Sequence, residues 1–418
     1  MKKKCFFLIF IFFIIPLIFN SISFADDISD DEIIDVNAEL ISNSSNKQYN
    51  QKIPEINSRA CVVIDRNTNT ILYGKNENTK RKMASTTKIL TATIIIENCN
   101  LNETIEISKK AASTGGSRLG LKSGDKITIN DLLYGLMLRS GNDAAVALAE
   151  YAGGNVETFA GLMNKKASEL GLKNSHFETP HGLDSEQHYT TAYELALLSN
   201  YALKNKTFSQ IVGTKTYTIS INGFSKTISN TNELLGNLNG VYGVKTGFTN
   251  GANRCLVTAC KRENIDIICV VLGADTKKNR TQDSINLINY IFDNFESINI
   301  EEIINKEFEK WKKNNTNSFI INKGITQNLT LSLTNSNETN IPIRKDQKEK
   351  INIYIECQTT FDAPININKK VGTINTFIDD KPFLKNDIYT SSQINKKNTF
   401  IYFLYFIKNF TQIIQDNL

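Results

Sequence analysis

Arg254-Cys255-Leu256-Val257-Thr258-Ala259-Cys260 and Ile265-Asp266-Ile267-Ile268-Cys269-Val270-Val271-Leu272 are two apolar runs joined by Lys261-Arg262-Glu263-Asn264. Each run is short, rich in strand-favouring residues and bounded by polar ones, so the pair reads as a β-hairpin. A similar pair stands near the start of the ordered chain, with Ala60 to Asp65 and Thr70 to Tyr73 separated by Arg66-Asn67-Thr68-Asn69. Between the pairs the pattern changes period. A helix is expected from about Thr86 to Asn98, and the stretch from Ile107 to Leu238 reads as mainly helical. There Asn130-Asp131 caps one helix, Asn142 to Tyr151 is Ala-rich with apolar spacings of three and four, and Phe159 to Leu170 and Thr190 to Leu203 repeat that period. Gly243 to Thr246 returns to extended chain, and Gln282 to Phe295 forms a helix packed against the sheet. Strands at both ends of a helical middle predict an α+β domain whose terminal segments share one sheet.

Working outward, 418 residues exceed one typical domain. A composition of 40% hydrophobic and 22% charged residues is that of a globular protein, and a net charge of +5 gives no reason to expect nucleic acid. Residues 1–25 read as an export signal, with basic Lys2-Lys3-Lys4, an apolar run from Phe6 to Phe19, and Ser23-Phe24-Ala25 as a small-x-small cleavage site. The run falls short of the roughly 20 residues of a membrane span. Residues 26–54 form an acidic, Asn/Ser-rich leader, and the α+β domain occupies 55–297. Residues 298–392 carry short apolar runs between Asn/Lys-rich turns and predict a small all-β domain. In 396–418, Phe400, Phe403, Leu404, Ile407, Phe410, Ile414 and Leu418 recur at helical spacing beside Lys396, Lys397 and Lys408, which predicts an amphipathic helix lying at a membrane surface. Cys61, Cys255 and Cys269 fall in strand-like runs and are expected to be buried thiols. Three histidines, with no HExxH and no Cys/His cluster, point away from a metal enzyme, and no cofactor is expected.

Three short motifs carry the chemistry: Ser85-Thr86-Thr87-Lys88, Ser140-Gly141-Asn142 and Lys245-Thr246-Gly247. Ser85 lies where a loop enters a helix, and Lys88, three residues on, shares its face. The helix N-terminus favours negative charge developing on the serine oxygen. Lys88 serves as base only where burial or a nearby cation such as Lys245 lowers its proton affinity. Ser140 is a candidate relay between Lys88 and the leaving amine, and Asn142 a candidate holder of the substrate's amide. A small residue at Gly247 lets a peptide add to the strand edge, while Lys245 and Thr246 offer a cation and a hydroxyl to a terminal carboxylate. The backbone N–H groups of Ser85 and Phe248 are the candidate oxyanion hole. Each motif alone is weak, and their order and contexts together are specific.

With these motifs, residues from about Ile56 to Glu296 resemble the low-molecular-mass penicillin-binding proteins, the serine-type D-alanyl-D-alanine carboxypeptidases. The resemblance extends to Arg139-Ser140-Gly141-Asn142-Asp143-Ala144-Ala145, Thr179-Pro180-His181-Gly182-Leu183-Asp184, Thr191-Ala192-Tyr193-Glu194-Leu195-Ala196 and Gly243-Val244-Lys245-Thr246-Gly247-Phe248-Thr249. It implies the fold shared with β-lactamases, acylation of Ser85 by a peptidoglycan stem peptide ending in D-Ala-D-Ala, release of D-alanine, and hydrolysis of the acyl-enzyme. It also implies that β-lactam antibiotics trap the same serine. Ala363-Pro364-Ile365 and Lys370-Val371-Gly372 are similar to the C-terminal domain of such enzymes, and the last helix to their membrane anchor. The implied location is the outer face of the cytoplasmic membrane. His181 is read as a structural hydrogen-bonding residue. Arg254 departs from the apolar or aromatic residue expected at its position. A β-lactamase on this scaffold would want a carboxylate base, and no ExxLN-like segment supplies one. A DD-transpeptidase uses the same residues, and a non-catalytic peptidoglycan-binding module would have been free to lose Ser85, Lys88 and Lys245.

Overall fold

The computed structural model describes residues 53–315, 318–334 and 340–416; the expected export signal and nearly all of the leader lie outside them. In chain order the elements begin with β1 (Ala60–Asp65), β2 (Ile71–Lys75), α1 (Lys88–Asn98), β3 (Thr104–Glu106), α2 (Lys109–Ser113), β4 (Lys126–Thr128) and α3 (Ile129–Leu138). They continue with α4 (Asn142–Gly153), α5 (Val156–Glu169), α6 (Ala192–Leu203), α7 (Lys206–Val212), β5 (Thr216–Ile221) and β6 (Phe224–Ser229). The strands β7 (Val241–Thr249), β8 (Asn253–Arg262) and β9 (Ile265–Ala274) then lead into α8 (Lys277–Asn294).

The main sheet has the order β2-β1-β9-β8-β7, antiparallel throughout. Ala60 sits opposite Leu272, so the first hairpin closes against the last one, as the outer segments predict. Side-chain alternation sorts the two faces. Ala60, Val62 and Ile64 join a core with α1, α3 and α4, whereas Cys61 and Val63 point to the opposite layer with Leu287, Ile288 and Ile291 of α8. Helix α1 is buried from Lys88 to Ile95, as a helix enclosed by others must be. This places the Ser85 end of α1 beside β7, an edge strand of the sheet. Cys61, Cys255 and Cys269 are buried, and burial pushes the Cys61 thiol up to about 12.

Several local readings are corrected. The cap of α3 is Thr128, whose hydroxyl accepts from the Asp131 N–H at 3.0 Å; Asn130 and Asp131 are already helical. The stretch read as mainly helical also holds two extended features: β4, which pairs with β3 just before the stretch, and the β5–β6 hairpin. The second turns on Asn222 and Gly223, both at positive φ, a turn signal that the neighbouring helices obscured. Helix α8 starts five residues earlier than Gln282, behind the Thr276 cap.

Beyond the sheet come β10 (Phe295–Asn299), α9 (Ile300–Asn315), β11 (Ile320–Asn322), β12 (Leu331–Leu333), β13 (Asn340–Arg344) and β14 (Ile351–Cys357). The chain then runs through β15 (Thr360–Asp362), β16 (Lys370–Ile378), β17 (Lys381–Thr390) and α10 (Thr399–Asp416). A four-stranded sheet of order β12-β17-β16-β14 dominates this region. Although 298 was expected to open the β region, its first turns are α9, whose Ile300, Ile304 and Phe308 pack with Ile374, Ile388 and Phe361. In α10 the side chains of Phe400, Phe403, Leu404, Ile407, Phe410 and Ile414 are exposed, while Leu418 lies outside the described residues. No helix among the described residues is long and apolar enough to cross a membrane.

Candidate active site

Ser85 lies in a short 3-10 turn, Ala84–Thr87, that runs directly into α1. The turn is pinned by its own hydroxyls: Thr86 Oγ1 donates to the Met83 carbonyl at 2.6 Å and Thr87 Oγ1 to the Ala84 carbonyl at 2.8 Å. Lys88 is fully buried, and its Nζ lies 2.8 Å from Ser85 Oγ, 2.7 Å from Asn142 Oδ1 and 2.9 Å from the His181 carbonyl. Of these three neighbours only the serine hydroxyl can also donate. If the amine is neutral, with two N–H bonds committed to Asn142 and His181, its lone pair faces the Ser85 proton.

Asn142 is the first residue of α4 and is itself held. Its Nδ2 donates to the Gly115 carbonyl at 2.8 Å and its N–H to the Ser117 carbonyl at 2.8 Å. The neighbouring Asp143, fully buried, accepts from the N–H groups of Leu119 and Ala144 on Oδ1 and of Gly120 and Leu121 on Oδ2, at 2.8 to 3.0 Å. A carboxylate with four backbone donors is a strong fastener for the loop that carries Gly115 and Ser117. Ser140, before α4, has φ of +62° and a buried Oγ with no hydrogen-bond partner among the described residues. A non-glycine residue there costs about 1–2 kcal/mol, so the surrounding fold must hold it in place.

Lys245 and Thr246 are buried on β7. Lys245 Nζ donates to the Thr246 carbonyl at 3.0 Å, and Thr246 Oγ1 pairs with Thr231 Oγ1 at 2.7 Å. A Cβ on Gly247 would stand 3.1 Å from both the Met83 carbonyl oxygen and the Ser85 nitrogen. The glycine therefore lets β7 approach the Ser85 turn, a closer reason for its size than passage of a peptide. Phe248 faces Arg254 across the β7–β8 pair, and the guanidinium lies 3.8 Å over the ring. That stack gives the unexpected arginine an aromatic partner. Asp184 ties the far end of the strand pair, accepting from Thr249 Oγ1 at 2.7 Å and from the Gly251 N–H at 2.8 Å.

Ser85, Lys88, Asn142 and Gly247 are thus brought together by direct contacts, although 54 residues separate Lys88 from Asn142. Asn142 turns its amide oxygen on Lys88, so the expected grip on a substrate amide falls to what remains of its Nδ2 group. His181 enters through its backbone carbonyl. Its ring is buried, and burial, reinforced by the Lys88 charge, pushes its pKa down to about 3. Asp143, Asp184 and the His181 carbonyl had no role assigned from sequence, since backbone donors and acceptors leave no trace in a side-chain pattern.

The chain is similar over most of its length to known proteins. Residues 46–276 match the D-alanyl-D-alanine carboxypeptidase family, and residues 310–396 match the C-terminal domain of penicillin-binding protein 5. The chain is 33% identical over 368 residues to D-alanyl-D-alanine carboxypeptidase DacF of Bacillus subtilis, covering 86% of this chain and 91% of the relative. It is 30% identical to DacA of Escherichia coli, covering 85% and 88%. Among solved structures, the carboxypeptidase DacD from Francisella tularensis superposes with a TM-score of 0.64 at 25% identity, covering 82% of this chain and 95% of that one. The Streptomyces K15 DD-transpeptidase gives 0.55 at 37% identity over 57% and 98%.

Proposed function

The chain belongs to the D-alanyl-D-alanine carboxypeptidase family, and we propose that its acyl-enzyme forms on Ser85. It is a serine-type enzyme that releases the terminal D-alanine of peptidoglycan stem peptides and binds β-lactams. The observation that carries the residue assignment is the setting of Lys88 Nζ: one buried nitrogen within 2.9 Å of the serine hydroxyl and of two acceptors that fix its direction.

Lys88, as a neutral amine, takes the Ser85 proton while Oγ attacks the carbonyl of the penultimate D-alanine. The carbonyl oxygen becomes an oxyanion and is held by the N–H groups of Ser85 and Phe248. Ser140 relays a proton from Lys88 to the leaving nitrogen, so the C–N bond breaks as D-alanine departs with its amine protonated. Lys245 and Thr246 bind the terminal carboxylate, and the peptide lies along the edge of β7 next to Gly247. Asn142 directs Lys88. Water then hydrolyses the ester and restores Ser85; an acceptor amine in its place would give transpeptidation.

The family acts on the cell wall, outside the cytoplasm. For this chain we assign residues 1–25 to an export signal, 26–54 to a leader, 55–297 to catalysis, 298–392 to the β-rich domain and 396–418 to a membrane-surface anchor. The uncovered apolar side chains of α10 support the last assignment.

Labelling the purified protein with a fluorescent penicillin, with and without Ser85→Ala, tests the nucleophile. Ser85-dependent label is expected; equal labelling of both proteins, or none of either, rejects the assignment. A pentapeptide ending in D-Ala-D-Ala should then yield free D-alanine in preference to a crosslinked product.

A further inference from the structure

The Ser85 turn is also held by residues outside the three motifs. His188 is buried, packed edge-on against Phe177, and its Nδ1 lies 3.0 Å from the Glu178 backbone nitrogen. Because that nitrogen is a donor, Nδ1 must accept, and the proton of the neutral ring sits on Nε2. Burial pushes the imidazole down to about 4, so the ring is neutral near pH 7. Nε2–H therefore donates to Thr87 Oγ1 at 2.8 Å, and the Thr87 hydroxyl hydrogen goes on to the Ala84 carbonyl at 2.8 Å.

Ala84 is an L-residue held at φ of +49°, a region its backbone would otherwise leave. Its carbonyl and the Ser85 N–H are opposite edges of one planar peptide group, so fixing one fixes the other. The carbonyl is packed on a second side by Gly182, whose φ is +87° and where any Cβ would overlap the Ala84 oxygen. We propose that His188 and Thr87 are positioning residues for the oxyanion hole: the imidazole orients the Thr87 hydroxyl, the hydroxyl holds the Ala84 carbonyl, and the same peptide plane thereby aims the Ser85 N–H. His188 also fastens the loop before Gly182, through Glu178, to the turn carrying the nucleophile. That loop supplies the His181 carbonyl to Lys88, so one side chain couples the oxyanion donor to the orientation of the base.

The inference rests on Ser85 being the acylated residue, and the experiment separates the two. Thr87→Val keeps the shape and deletes the hydroxyl; His188→Phe keeps a ring and deletes both nitrogens. The rate of Ser85 acylation by fluorescent penicillin and the kcat and KM for D-alanine release are measured alongside the melting temperature. Removing an oxyanion donor outright costs on the order of 10²- to 10³-fold in kcat, and a misaimed one should cost about tenfold. Each variant should lose at least fivefold in acylation rate and in kcat with KM within twofold of native. The double variant should be no slower than the slower single one, and Thr87→Ser should recover most of the loss. A folded Thr87→Val protein that acylates within fivefold of the native rate overturns the proposal, as do losses that multiply in the double variant. Failure of the native protein to take Ser85-dependent label would overturn the underlying assignment instead.

Discussion

Replacing Asp143 by Asn changes almost no volume yet strikes the fastener of the loop beneath Asn142. Each carboxylate oxygen accepts two backbone N–H groups, from Leu119 and Ala144 on one side and Gly120 and Leu121 on the other. An amide offers one acceptor oxygen, so its NH₂ group must face two donors at about 3 Å. Hydrogen bonds to a charged group contribute about 1.5–3 kcal/mol each. Losing two, with partial relief from burying a neutral group, should cost about 3 kcal/mol. At about 2–4 °C per kcal/mol for a protein region of this size, the melting temperature should fall by about 6–12 °C. The same loop carries Gly115 and Ser117, which hold Asn142 and through it Lys88. The folded Asp143→Asn protein should therefore also label more slowly with fluorescent penicillin, measured below its new melting temperature. A melting point within 2 °C of native together with native labelling speed would refute the role given to this carboxylate.

Asn142→Ala removes one of the two acceptors that direct Lys88, so kcat for D-alanine release should fall about a hundredfold, equivalent to about 2.7 kcal/mol, with KM little changed; an unaltered kcat would remove Asn142 from the base's support. His181 and His188 have folded pKa values of about 3 and about 4 against an ordinary 6.5. The unfolded chain thus takes up protons first, and the stability these rings contribute is intact above pH 6.5 and erodes as pH falls toward 4 and below. Between pH 7.5 and 5 each ring should cost about 2 kcal/mol, so His188→Phe should show a shallower fall in melting temperature than native, and an identical fall would sink the account. Deleting residues after Lys397 should abolish sedimentation with anionic lipid vesicles while leaving D-alanine release from a soluble peptide intact; retained sedimentation would locate the membrane contact elsewhere.

The main sheet was legible because β8 and β9 are continuous apolar runs with a charged turn between them, and such runs announce themselves without tertiary knowledge. Ser85, Lys88 and Lys245 were legible because their neighbours keep fixed spacings. Strands of three residues, such as Thr104–Glu106 and Lys126–Thr128, carry too few positions to show alternation and exist through pairing with each other. Asp143 lies in the first turn of α4, where an acidic residue draws no attention; three of its four amide partners come from a loop more than twenty residues earlier. Thr87 and His188 lie 101 residues apart, and nothing in either local sequence points to the other. The stripe of α9, Ile300, Ile304 and Phe308, went unread because the strand-like texture after it coloured the whole region as β.

The pairing of Ala60 with Leu272 has a consequence for how the chain comes into being. β1 is made early, yet one of its two neighbours in the sheet, β9, is among the last pieces of the catalytic region to be synthesised. Until then the first hairpin has no seat, and the loop to be closed spans more than two hundred residues. Contacts this distant make folding slow, so a long interval separates synthesis from closure. During it the helical middle can gather its own apolar faces, but the β7 edge beside the Ser85 turn has no finished sheet behind it. A chain interrupted before Ile265 would hold both halves of the catalytic machinery and lack the strand that joins them.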